Sequence, residues 1–263
     1  MPPLAVLGNL SRDLVDGGPA RVGGAPYWSA RALRELDAQA LVAVKCADFD
    51  RRLLAPPVLA LGLPVLWLAA RSTAAFSFRY VGDRREMTVD ELGEPWTPED
   101  IRFIGDARCV HVGALARSDF PAETLAELAG NGRKVSFDGQ GLVRPARTGP
   151  LELDAAHDPE VLRHVSILKL NEEEARVLVG GLDAAALGSL GVPEVLVTLG
   201  SHGSLVLADG TLEQVGAEPV AGADPTGAGD AFAVAYLASR ADDAEPLAAA
   251  RRATELVAQL LRR

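Results

Sequence analysis

What most limits the fold of this chain is a rhythm: short apolar runs alternate with longer amphipathic stretches along nearly its whole length. The first cycle is LAVLGNL, then the segment from Ala25 to Leu36 behind VGG, then LVAV. The pattern resumes with RRLLAPPVLALG and PVLWLAA, CVHVGAL and FPAETLAELAGNG, KVSFD and PEVLRHV, SILKLN and EEEARVLVG, and EVLVTLG. Runs of this length read as buried strands, and the stretches between them as helices with one apolar face. Strands alternating with helices predict an α/β chain, a three-layer α/β/α sandwich around a mainly parallel sheet. One stretch, AAFSFRYVGDRREMTVDE, breaks the rhythm with two strands of polar alternation joined by GDRR. It reads as a hairpin at about 76–89, a flap over the edge of the main sheet. With 263 residues, no repeat and no long linker, residues 1–263 are expected to form one unit.

Charge narrows the partners. A formal net charge of −10 argues against a general affinity for nucleic acid or anionic membranes, which are held mainly by Lys and Arg. No apolar segment reaches the length of a membrane span. The opening MPPLAVLGNLSRD is too short and too soon charged for a secretion signal, so a cytoplasmic location is expected. Cys46 and Cys109 lie far apart within apolar segments and read as buried reduced thiols. His111, His157, His164 and His202 lack the spacing of a metal site. Neither GxxxxGK[ST] nor a strand leading into GxGxxG is present, which sets aside the P-loop and dinucleotide-binding classes.

The stretch ADPTGAGDAF, residues 223–232, carries the strongest chemical signal. Phe232, Ala235, Tyr236 and Ser239 follow it at helical spacing, so a helix begins at or near Gly227 and Gly229. A helix start without side chains presents bare N–H groups and the positive end of the dipole, which together make an anion site. Asp230, just after the amides of Gly227, Ala228 and Gly229, is placed to take a proton from a hydroxyl while those amides stabilise developing negative charge. The plainer alternative is a helix N-cap behind a tight turn. In KLNEEEA, Asn171 and Glu174 lie three apart on the first turn of a helix. They suit either one metal shell or a capping box. Thr198 and Gly200 sit at the carboxyl end of a strand in VLVTLGSHGSLV, where open α/β sheets bind ligands, although a hairpin turn explains the glycines too. Asp13, in GNLSRD, and the pair Gly23 and Gly24 occupy the same edge near the start of the chain and could meet a polyhydroxylated ligand.

These stations, DPTGAGDAF, GNLSRD, the GG pair, LKLNEEEA and TLGSHG, resemble in order those of the ribokinase-like family of sugar and nucleoside kinases, the phosphofructokinase-B superfamily. The resemblance implies an α/β/α sandwich with a small β lid, ATP as phosphoryl donor, and magnesium. It implies Asp230 as catalytic base with the Gly227, Ala228 and Gly229 amides as anion hole. Asp13, Gly23, Gly24, Trp28 and Arg144 would meet the acceptor, and Asn171, Thr198, Gly200 and Gly203 the nucleotide. Asn171 and Glu174 would hold magnesium mostly through water.

The departures shape the expected acceptor. So few residues separate Asp13 from Gly23 that the lid is expected to be reduced to the 76–89 hairpin. Trp28 stands in APYWSA where sugar kinases carry an asparagine, which, among the polyols, sugars and nucleosides the family takes, turns the expectation from ribose toward an inositol-type or nucleoside acceptor, inositol-like polyols leading. The run from Asp138 through Gln140 to Arg144 resembles the D-x-Q-G-x-x-R run of the short myo-inositol kinase-like branch. Arg144 would reach a phosphate there, a surface arginine being the plain alternative. Asp224 and Thr226 supply half of the family's monovalent-cation site, and no loop follows the last helix to complete it, so weak or no potassium activation is expected. A homodimer is left open, and a ligand-binding member without turnover is the alternative to a kinase.

Overall fold

The computed structural model describes residues 3–81 and 84–262. Its larger sheet has nine strands among the described residues. In order they are Thr211–Val215, Ser204–Ala208, Glu194–Thr198, Ile167–Asn171, Lys134–Asp138, Cys109–Gly113, Leu4–Asn9, Ala40–Ala47 and Val65–Ala70. All neighbours pair in parallel except the first two strands, which close one edge as antiparallel additions. The apolar runs behave as strands because both of their faces are covered. Leu4 and Val6 point into one core with helices Ala25–Glu35, Ala228–Ala241 and Pro246–Leu261. Ala5 and Leu7 point into the opposite core, against helices Ala122–Ala129 and Glu172–Val179. Cys46 and Cys109 are buried free thiols, as expected.

From Leu4–Asn9 the chain builds outward to Ala40–Ala47 and Val65–Ala70, then returns to lay Cys109–Gly113 on the other side. The winding direction reverses beside the first strand. In open α/β sheets such a switch point opens a crevice at the strand carboxyl ends, where ligands bind.

The second sheet corrects the expectation of a lid reduced to one hairpin. The hairpin is present as Ala74–Val81 paired with Arg84–Glu91, while residues 82 and 83 of its GDRR turn lie outside the described residues. It is joined by Gly149–Pro150 on one side and by Ser11–Val15 and Arg21–Gly23 on the other, five strands in all. The two short strands fit between Leu10 and Gly24 because Asp16 and Gly17 both take left-handed backbone, φ 47° and 71°. That geometry turns the chain within two residues, as Asp-Gly hairpins do. The inner face of this lid is apolar, with Phe76, Phe78 and Val89 packed together with Leu115 of the main body.

The helix that carries Asp230 is tied to the sheet at its far end. The Glu194 carboxylate accepts hydrogen bonds from the Tyr236 hydroxyl at 2.6 Å and from Arg240 Nη2 at 2.7 Å. Burial, together with this bond to Glu194, pushes the Tyr236 pKa far up. Removing Glu194 would strand the buried Tyr236 hydroxyl without an acceptor and leave the Arg240 guanidinium only its bond to the Ala244 carbonyl. Glu194→Ala is expected to cost about 3 kcal/mol, and Tyr236→Phe about 1 kcal/mol, in urea unfolding followed by circular dichroism.

Candidate active site

The segment before the helix is shaped by its own side chains. Asp224 Oδ1 accepts from the Thr226 amide at 2.9 Å and from Thr226 Oγ1 at 2.6 Å. Gly227 is the N-cap residue with φ 79°, a left-handed conformation that glycine adopts without strain. The helix runs Ala228–Ala241, so Asp230 is its third residue and does not cap it. One detail corrects the expected anion hole. The Ala228 amide donates to the Pro225 carbonyl at 3.0 Å and is already used. The Gly227 and Gly229 amides make no such bond among the described residues.

Asp230 is surrounded by charge. Its Oδ1 is enclosed and has no hydrogen-bond partner among the described residues. Burial, reinforced by the Asp138 and Glu174 carboxylates and opposed by Lys169 and Arg144, pushes its pKa up to about 7. Lys169 comes from the middle of strand Ile167–Asn171 and is buried, with Nζ 3.3 Å from Asp138 Oδ2. Burial works against its positive charge, but Asp138, Glu174 and Asp230 together outweigh that and hold its pKa above the usual lysine value. A β-carbon at position 229 would lie 2.9 Å from Lys169 Nζ, so the glycine makes room for the lysine. Lys169 is a site residue that the motifs alone do not single out. A lone lysine in the apolar run SILKLN was the signal for it. His111 lies fully buried near this cluster, its Nδ1 3.1 Å from Ser136 Oγ. Burial lowers its pKa to about 4, so it stays neutral near pH 7.

Asn171 and Glu174 form a reciprocal capping box. Asn171 Oδ1 accepts from the Glu174 amide, and Glu174 Oε2 from the Asn171 amide, each at 2.8 Å. The box does not exclude a hydrated ion. Asn171 borders a cleft of about 460 Å³ while Glu174 is buried behind it, and no group of three candidate metal ligands occurs among the described residues. This arrangement fits magnesium held through its own water better than direct ligation.

Two clefts meet at the helix start. The larger one brings together Asn171, Thr198, Gly200 and Gly203, and its other walls include the apolar Val220 and Val257. The smaller, about 130 Å³, collects Asp13, Gly24, Trp28, Arg144 and Asp230, together with Gln140. Phe76, Phe78 and Met87 close it from the lid side, against Leu115 of the main body. Gly23 is not on its wall. A β-carbon there would stand 2.1 Å from Asp13 Oδ2, so Gly23 instead leaves space for that carboxylate. Ser11 Oγ donates to Asp13 Oδ1 at 2.7 Å and orients it.

A three-layer sandwich with a β lid, and a helix start carrying a half-buried carboxylate between two clefts, is the architecture of a ribokinase-like small-molecule kinase. Residues 70–263 match the model of the pfkB family carbohydrate kinases, and the chain belongs to that family. A fructokinase from Salmonella thompson is 31% identical over 159 residues, covering 56% of this chain and 71% of its own length. With a fructokinase from Salmonella typhimurium the identity is also 31%, but the match spans only about half, 51%, of that relative. Among solved structures, a pyrophosphate-dependent kinase of the ribokinase family, complexed with a pyrophosphate analogue and myo-inositol, superimposes with a TM-score of 0.87. It is 24% identical, over 98% of this chain and 95% of that one. Arabidopsis thaliana ribokinase, complexed with ribose and ATP, gives a TM-score of 0.79 at 21% identity, over 100% and 93%. The expectations of family, fold and kinase class thus hold.

The raised pKa of Asp230 has a stability consequence. A carboxylate that titrates higher in the folded than in the unfolded chain binds more protons when folded, so its contribution to stability declines as pH rises from about 4 through about 7. Asp230→Asn removes the charge while keeping the shape. Its melting temperature is therefore expected to exceed the wild type's, by a margin that widens between pH 6 and pH 8, in calorimetric scans.

Proposed function

We propose that the protein transfers the terminal phosphoryl group of ATP to one hydroxyl of a small cyclic polyol, with an inositol-like ring favoured over ribose. The observation that carries this reading is Asp230, an enclosed carboxylate oxygen without a hydrogen-bond partner, lining the smaller pocket one residue after the open amide of Gly229. A hydroxyl entering that pocket would meet the Asp230 carboxylate beside a helix end that favours anions.

As the acceptor oxygen bonds to the γ-phosphorus, the bond from phosphorus to the β,γ-bridging oxygen breaks and ADP leaves. Asp230 takes the hydroxyl proton. The amides of Gly227 and Gly229, with the Arg144 guanidinium on the pocket wall, stabilise the charge spread over the transferred phosphoryl oxygens. Lys169 opposes the raised pKa of Asp230 and so favours the ionised base. Asn171 and Glu174 are the residues that would hold magnesium through water, and the ion would neutralise charge on the donor phosphates.

The volumes support the choice of substrates. The larger cleft, with its apolar walls, has room for an adenine base and a ribose beyond the phosphates. A space of about 130 Å³ is well below the roughly 300–1,000 Å³ of pockets for drug-sized ligands, and it suits a single polyol ring rather than a nucleoside. Its division into a polar side of Asp13, Gln140 and Arg144 and an apolar side of Phe76 and Phe78 fits a ring with hydroxyl edges and a C–H face.

The decisive experiment measures ADP release over inositols, hexoses, pentoses and nucleosides, with pyrophosphate replacing ATP in a parallel arm read by phosphate release. An inositol or hexose should lead with ATP as donor. A tenfold preference for ribose in kcat/KM, about 1.4 kcal/mol, would refute the acceptor assignment, and faster turnover with pyrophosphate would refute the donor. With the best acceptor, Asp230→Asn should lower kcat by about 10²–10⁴ while ATP affinity measured by calorimetry changes little. The wild type's kcat/KM should rise with pH through an acid limb near 7, as Asp230 ionises, and the variant's residual rate should lack that limb.

A further inference from the structure

Trp28 touches more than the acceptor pocket. A β-carbon built on Gly227 would lie 2.4 Å from Trp28 Cδ2, 2.5 Å from Cε3 and 2.6 Å from Cγ. The indole therefore packs directly on the peptide that caps helix Ala228–Ala241. It is itself restrained, with the Arg31 guanidinium 5.0 Å from its ring centre and the Tyr27 ring edge-on at 5.1 Å. Helix Ala25–Glu35, which carries it, shares one apolar core with the Asp230 helix through Leu33, Phe232 and Ala235. The same indole borders the acceptor pocket and, beyond Gly227, a small cleft of about 70 Å³ beside Thr226.

We propose that Trp28 is a positioning residue for phosphoryl transfer, one that holds the Gly227 turn so that the Gly227 and Gly229 amides stay aimed at the transferred group. This inference rests on the phosphotransfer reading above. Glycine occupies both halves of its φ range almost equally, so nothing intrinsic to Gly227 holds it at φ 79°. The flat face of the indole fills the space that the turn would sweep in changing conformation. Preorganised donors stabilise a transition state only while they stay aimed, and a displacement of about 1 Å can cost about 100-fold in rate. Tryptophan at position 28 would thus act chiefly on kcat, whereas a residue that merely stacks on the acceptor would act on KM.

The test is the split between the two constants. Trp28→Leu opens a space against Gly227 and should lower kcat at least 10-fold with acceptor KM changed less than about threefold. Trp28→Phe, which keeps a flat ring there, should recover most of the lost kcat. A binding measurement covers the case in which the leucine variant does not fold. Titrating ATP and magnesium without acceptor should change the intrinsic fluorescence of the wild type, and Trp28→Phe, which retains Trp67 and Trp96, should lose that change. A leucine variant with kcat within twofold of wild type and raised acceptor KM, or an unchanged signal in Trp28→Phe, would overturn the proposal. If Asp230→Asn abolishes turnover while Trp28→Leu spares it, the role of Trp28 alone fails; if Asp230→Asn keeps its turnover, the phosphotransfer reading fails first.

Discussion

Helix Ala228–Ala241 is gripped by side chains at its far end and left open at its near end, and the site depends on that contrast. Phe232, Ala235 and Tyr236 are buried among sheet and helix residues, and Arg240 and Tyr236 converge on Glu194. The near end carries no capping side chain, and two of its amides make no backbone hydrogen bond among the described residues. A helix with an unsatisfied positive end, placed where two clefts meet, would serve the proposed reaction as an anion receptor. The winding of the sheet sets that location, since the crevice at the switch point beside Leu4–Asn9 is where the carboxyl ends of the strands deliver their loops.

Charge burial is the second constraint. Asp138 and Glu174 are buried beside Lys169, and these charges together with burial push the Asp230 pKa up to about 7. In the proposed reaction, a base poised near the working pH balances readiness to accept a proton against the strength of the bond it forms with it. The same arrangement opposes folding, because a chain optimised for stability alone would not enclose a carboxylate oxygen without a partner. Chemistry and stability therefore pull in opposite directions at this one residue.

Glycines act here as space as much as hinges. Gly229 admits Lys169, Gly23 admits the Asp13 carboxylate and Gly227 admits the Trp28 ring, each where a β-carbon would come within 3 Å of its neighbour. The motif glycines thus let charged and aromatic side chains from distant strands and helices approach the backbone of the site. The lid adds the apolar half of the acceptor pocket, and the short turn at Asp16 and Gly17 is what allows Ser11–Val15 and Arg21–Gly23 to extend it.

The layered fold was legible in the sequence because each strand is buried on both faces and each helix on one, and that pattern of burial is written residue by residue in the hydrophobic spacing. The helix start at Gly227 was legible for a similar reason, since it depends on short-range backbone geometry, whereas the grouping of Asn171, Thr198 and Gly200 came only from the family resemblance. The lid strands at 11–15 and 21–23 escaped because each is too short to show periodicity, although the Asp-Gly pair between them marked the turn. What only the tertiary structure decided was which distant groups meet: Lys169 with Asp138 and Asp230, and the indole of Trp28 with Gly227. Those partners stand up to about 200 residues apart in the chain, and their encounter depends on strand order and helix packing, non-local quantities that no window of sequence contains.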